Sequence, residues 1–160
     1  LLSEIEYAPV VTIHLRVSQD EAFRFDGFGI LIPSVEKRQI LGCLWNSNLF
    51  PSLFPDKRHH YLTVYMGGAL HREIVEAEES TLRKLVIHEA QHLFSLRQEP
   101  EVVHIRRHLR AIPQYNLGYG RLLKGIDAEL SRYPFLKLSG NYLGGPSMPK
   151  TVRHAVCLVQ

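Results

Sequence analysis

Two apolar runs rich in strand formers, residues 39–45 and 60–66, are joined by a segment carrying Asn46, Ser47, Asn48, Pro51, Pro55 and Asp56. Turn residues at that density fit an antiparallel connection better than the helical crossover a parallel pair requires. Gly67 and Gly68 close the second run. Upstream, residues 8–17 are rich in β-branched side chains and alternate apolar with polar over their second half, the period of a strand. Residues 27–33 form a shorter run, apolar on both faces and ended by Pro33. The period then changes. From 80 to 96, steps of ~100° gather Leu82, Leu85, Val86, Ala90, Leu93, Phe94 and Leu96 on one arc and put Lys84, Gln91 and Ser95 opposite. This predicts an amphipathic helix, with Ser80 as its N-cap and Glu78 and Glu79 on the favourable side of its dipole. Residues 101–109 return to alternation, 118–132 read as a second helix, and 135–139 as a short strand entering the glycine-rich 140–145. A last helix starts near Pro149, a residue suited to the first helical position. The expected class is α+β, a mainly antiparallel sheet with flanking helices, with no repeat or linker dividing it.

Composition narrows the function classes. With 45% apolar and 22% charged residues in 160, the chain can build a real core, which excludes disordered and fibrous classes. The net charge of +3 is scattered, without the block of like charge that marks a polyanion-binding arm, so no nucleic-acid partner is expected. Cys43 and Cys157 are too few for a disulfide framework or a cysteine zinc site, which suits a reducing compartment and a cytoplasmic location. No run approaches the roughly 18–20 apolar residues of a membrane-spanning helix. Lying on a membrane surface stays open. The start lacks the charged and apolar regions of a signal peptide, and it lacks Met, as a piece of a larger protein would.

The sharpest short motif is His88-Glu89-Ala90-Gln91-His92, which fits H-E-x-x-H on a helix, where histidines four apart share a face and can bind one zinc. Chance alone yields that match in roughly 4% of shuffled chains of this composition, so the motif needs a third ligand to mean zinc. Glu99 and Glu101 follow closely, but neither completes the longer histidine pattern. Both histidines project outside the apolar arc, and Glu89 projects inside it. The expectation is no metal.

The end of the chain is more informative. A strand feeding a glycine-rich loop that opens a helix aims backbone N–H groups and a positive dipole end at an electron-rich ligand. Residues 111–118, from Ala111-Ile112-Pro113-Gln114-Tyr115 to Gly118, and 136–145, from Leu136 to Gly145, resemble the closing signature of protoporphyrinogen oxidases in the flavin amine-oxidase superfamily. Residues 27–33, Leu41-Gly42, 46–51 and Met66-Gly67-Gly68 are similar to the same family, in the same order and at similar separations.

The resemblance implies an enzyme that oxidises protoporphyrinogen IX, or coproporphyrinogen III, to the porphyrin, passing electrons through FAD to oxygen in haem biosynthesis. It implies a substrate-domain-like part, 1–110, and a closing segment, 111–160, that returns to the FAD-binding domain, the two expected to form one compact unit in this chain. Flavin contact falls to Gly140, Asn141, Pro146, Ser147 and Met148, and to His108, where the family usually carries tryptophan. Leu31, Leu44 and Tyr65 fall where the family lines its tetrapyrrole pocket, and no catalytic residue is assigned. A homodimer and peripheral membrane association are compatible with the resemblance. No G-x-G-x-x-G follows a strand in these residues, so the unit that grips the FAD pyrophosphate is not among them. On that reading the chain by itself is inactive. The competing expectations are a zinc hydrolase built on His88 and His92, and a non-catalytic domain that binds a tetrapyrrole or a protein.

Overall fold

The computed structural model describes residues 1–159. Five strands form one sheet: β1 (Tyr7–Ser18), β2 (Gly29–Leu31), β3 (Ile40–Trp45), β4 (His59–Gly67) and β5 (Glu101–Pro113), in the order β2-β3-β4-β1-β5. β2 pairs with β3, β3 with β4 and β4 with β1, all antiparallel. Between β1 and β5 the contacts Thr12–His108, His14–His104 and Arg16–Glu101 run in opposite senses, the mark of a further antiparallel neighbour. The mixed, mainly antiparallel class is as the sequence led us to expect. The turn-rich connection between β3 and β4 is tighter than a loop, holding a single-turn helix α1 (Asn46–Leu49) and the 3-10 turn Pro51–Leu53.

The chain divides into two compact units, 9–109 and 1–8 with 110–160. In the larger unit α2 (Glu79–Phe94) covers one face of the sheet. Val11, Ile13, Leu15 and Val17 of β1, Leu62, Val64 and Met66 of β4, and Leu82, Val86, Ala90 and Phe94 of α2 make the core. Alternation put the strand residues on one face, and 3.6-residue periodicity put the helix residues on one stripe. Each of these side chains other than Ala90 contributes about 1.5–3 kcal/mol by leaving water. Phe23, Phe25, Trp45 and Phe94 join their rings at one end of this core, with centroids between 4.8 and 6.3 Å apart.

Two details of α2 differ from expectation. The N-cap is Glu78 and not Ser80, with no side-chain cap, so the helix starts on its acidic residues and the dipole is met by Glu79. Glu89 is buried at 5% exposure, on the apolar arc where periodicity placed it, and its nearest cation is Arg38, whose Nη1 lies 3.7 Å from Oε2. Oε2 itself has no hydrogen bond among the described residues. An ion pair at that separation compensates desolvation poorly. Glu89→Met, which keeps the volume and removes the charge, is therefore expected to stabilise the protein by ~1 kcal/mol, read as a higher midpoint in thermal melts. A lower midpoint would mean that Arg38 and Glu89 hold the turn between β2 and β3 together.

The smaller unit carries α3 (Tyr119–Leu130) and α4 (Met148–Leu158). Residues 135–139, expected as a strand, make no ladder with any described residue: Phe135 ends a turn and 136–139 run as coil. An extended run becomes a strand only when a neighbouring edge accepts its hydrogen bonds, and none does here. β5, by contrast, runs to Pro113, four residues beyond the alternating stretch.

Candidate functional site

The face of the sheet opposite α2 is lined by two rows that run from strand to strand. In one, Leu31 pairs with Gly42, Gly42 with Tyr65, and Tyr65 with Thr12. In the other, Leu44 pairs with Thr63 and Thr63 with His14. Residues directly opposite one another in a ladder point to the same side, so Leu31, Leu44 and Tyr65 share this face. Gly42 makes the first row possible. A Cβ there would lie 3.2 Å from Leu31 Cδ2 and 2.5 Å from the Ile30 carbonyl oxygen, so the missing side chain is the space into which Leu31 leans. Leu31 is 90% exposed and Leu44 38%, whereas Cys43 and Trp45, the neighbours of Leu44 on the opposite face, are buried. The two leucines are not core residues of this chain.

β5 extends both rows with histidine. His108 Nε2 lies 3.4 Å from the Thr12 hydroxyl, and the His104 ring stacks on that of His14 at 6.0 Å between centroids. The Thr63 hydroxyl donates to Asn46 Oδ1 at 2.8 Å, and His14 Nδ1 lies 3.0 Å from the same hydroxyl. Having spent its one hydrogen on Asn46, the hydroxyl accepts from His14, which fixes the proton on Nδ1 and leaves Nε2 with its lone pair. Burial, and then the neighbouring His104, hold His14 below the usual imidazole range. Burial raises the Tyr65 phenol, with Cys43 adding to it, and pushes the Cys43 thiol itself up to about 12. Motif reading assigned no role to His14, Thr63, Asn46 or His104. The alternation of β1 and β4 places them on a face, but nothing in it says that they meet.

The other expected residues lie in the smaller unit. Gly140 and Asn141 begin a loop whose carbonyls are held by tyrosine hydroxyls: Tyr115 donates to Asn141 at 2.8 Å and Tyr119 to Tyr142 at 2.6 Å. Both phenols are raised, first by burial. Gly140 is the close approach in this loop, since a Cβ there would meet the Tyr142 ring at 2.4 Å. Gly145 takes φ +108, Pro146 follows it, and Ser147 caps α4 in extended conformation without a side-chain bond. The first helical hydrogen bond runs from the Thr151 N–H to the Ser147 carbonyl, so the N–H groups of Met148 and Lys150 precede it and have no helical acceptor. Met148 is 79% exposed, which is not the packing of an ordinary helix start. This end of α4 offers N–H donors, a positive dipole end and an exposed thioether, and it suits the electron-rich edge of a flat ring.

His88 and His92 stand exposed on α2, and no group of three His, Cys, Asp or Glu side chains among the described residues is placed to hold a metal ion. Zinc added at one equivalent is expected to be lost on dialysis against a weak chelator, with no difference between the protein and His88→Ala. Retention that depends on His88 would restore the metal reading.

The family model described as flavin containing amine oxidoreductase matches residues 1–155. The chain is 31% identical to protoporphyrinogen oxidase 2, chloroplastic/mitochondrial, of Arabidopsis thaliana over 155 residues, covering 94% of this chain and 30% of that protein. It is 24% identical to coproporphyrinogen III oxidase of Bacillus subtilis over 128 residues, or 79% of this chain and 27% of that one. Among solved structures, a putative protoporphyrinogen oxidase from Exiguobacterium superposes with a TM-score of 0.81 at 20% identity, over 99% of this chain and 35% of that one. The chain thus spans about a third of the length of the relatives it matches.

Proposed function

This chain belongs to the flavin containing amine oxidoreductase family, and from that membership we propose that it supplies the substrate-facing sheet and a flavin-contacting loop of an FAD-dependent porphyrinogen oxidase. The substrate is protoporphyrinogen IX or coproporphyrinogen III, a reading supported by relatives named as protoporphyrinogen oxidase and coproporphyrinogen III oxidase, and oxygen is proposed to take the electrons. The observation that carries the reading is the shared placement of Leu31, Leu44 and Tyr65 on the face opposite α2, with both leucines exposed and Tyr65 half-buried. A large and mostly apolar macrocycle needs such a surface, with few polar anchors.

In this reading Leu31, Leu44 and Tyr65 bind the macrocycle by apolar contact and keep water from its face. The loop from Gly140 and Asn141 to Pro146, Ser147 and Met148 meets the flavin ring edge, with the Met148 and Lys150 N–H groups directed to it. Tyr115 and Tyr119 set that loop by holding its carbonyls. His108 takes the position of a further flavin contact. Bound FAD would supply the redox chemistry, while the protein supplies position and electrostatics.

The pyrophosphate-binding turn is not in these residues, so the 160-residue chain is expected to purify colourless and to bind added FAD weakly. Stoichiometric yellow protein would contradict this. Activity is tested on a longer product that joins this chain to a nucleotide-binding unit. Porphyrin fluorescence should appear from either porphyrinogen faster than in air alone, with FAD present in the protein. A flavin-loaded product with no such acceleration would remove the porphyrinogen reading.

A further inference from the structure

The two rows on the open face do not end alike. At the β2 and β3 end stand Leu31 and Leu44, and at the β5 end stand His104 and His108. Four strand spacings separate the ends, roughly 19 Å in all. An apolar surface that becomes imidazole along one direction fits a ligand with an apolar body and an acidic margin.

Several groups face His14. From β4 these are Thr63 and, one row on, Tyr61; from β5, His104 and Glu101, with Arg106 and His108 on the same face by alternation; from α1, Asn46; from β1 itself, Thr12 and Arg16. Arg16 is engaged by Glu101 and by the Tyr61 hydroxyl, so this permanent cation is already spent. Among the described residues, His14 Nε2 and the exposed His104 ring make no ion pair of that kind. His14 is held below the usual imidazole range by burial and then by His104, and an anion laid against the ring favours its charged form. A carboxylate laid against the stacked pair would therefore favour a proton on Nε2 and turn that nitrogen from acceptor to donor.

We propose that the stacked His14–His104 pair binds a carboxylate of the ligand whose apolar body lies over Leu31, Leu44 and Tyr65. This rests on the porphyrinogen reading above and deepens it, because it makes the acidic side chains of the macrocycle the feature this chain recognises. Carboxylate binding takes up a proton, so affinity for the acid rises as pH falls through the neutral range, while affinity for an uncharged ester does not.

The test uses the 160-residue chain with coproporphyrin III and its tetramethyl ester in the same non-ionic detergent, followed by porphyrin absorbance at pH 6.5 and pH 8.5. The acid is expected to bind about tenfold more tightly than the ester at pH 6.5, with the gap narrowing at pH 8.5. His14→Gln and His104→Gln should each cut the preference for the acid about threefold or more and flatten its pH dependence, leaving ester binding unchanged. His104 is exposed, so its variant keeps the test intact if His14→Gln folds poorly. Leu44→Ala should weaken acid and ester alike. Equal binding of acid and ester would overturn the carboxylate site and leave the macrocycle reading standing. A preference untouched by both histidine variants would place the carboxylate elsewhere and overturn the site too. Binding of neither compound would overturn the carboxylate site, and it would end the porphyrinogen reading as well only if the longer, flavin-loaded product also fails to accelerate porphyrin formation.

Discussion

Phe94→Ala is expected to destabilise the 9–109 unit by about 3–5 kcal/mol, the cost of removing a fully buried aromatic side chain from a packed core. Phe94 is 1% exposed and sits at the end of α2 against Phe23 and Phe25, with ring centroids 4.9 and 5.2 Å away. Truncation takes away its transfer free energy and leaves a cavity walled by rings that are also held by Trp45. For a unit of this size the midpoint of thermal unfolding should fall by on the order of 15 °C. Leu31→Ala is the control, because its side chain is 90% exposed and its loss should change stability by no more than about 0.5 kcal/mol. If both variants melt alike, α2 is not what closes this core.

Leu44→Ala is expected to act on binding instead. In a longer product that carries FAD, it should raise KM for the porphyrinogen about ten- to a hundredfold, the equivalent of ~1–3 kcal/mol of lost apolar contact, while flavin content stays the same. The structure makes the alternative easy to tell apart. Leu44 points away from the face on which α2 packs, so a large drop in melting temperature is not expected. Steady-state kinetics, flavin content and a thermal melt on one preparation decide the matter. A destabilised protein with unchanged KM would move Leu44 out of the ligand surface.

Most of the architecture was legible in the chain. Period-two alternation in β1 and β4, the turn residues between β3 and β4, and the switch to a 3.6-residue period at α2 are local properties, and each fixed an element close to its observed bounds. Glu89 shows how far such reading goes: periodicity placed it among apolar residues, and the fold buries it there, but the Arg38 that partly offsets its charge comes from a turn more than forty positions earlier. Segment 135–139 marks the opposite limit. Its apolar pattern suits a strand, yet a strand is completed by the edge beside it, and no described residue provides one.

The sequence by itself determined the family resemblance, the apolar character of Leu31, Leu44 and Tyr65, and the glycine-rich entry to α4, because each is written in residue type and short-range spacing. Only the tertiary structure decided that those three side chains share a face, that Gly42 opens the space for Leu31, and that His14 meets both Thr63 and His104. The physical reason is register. A slip of one residue in the pairing of β4 with β1 or with β3 would turn the whole row to the other side of the sheet, and register is set by the packing of the entire core against α2, a property that no single motif carries.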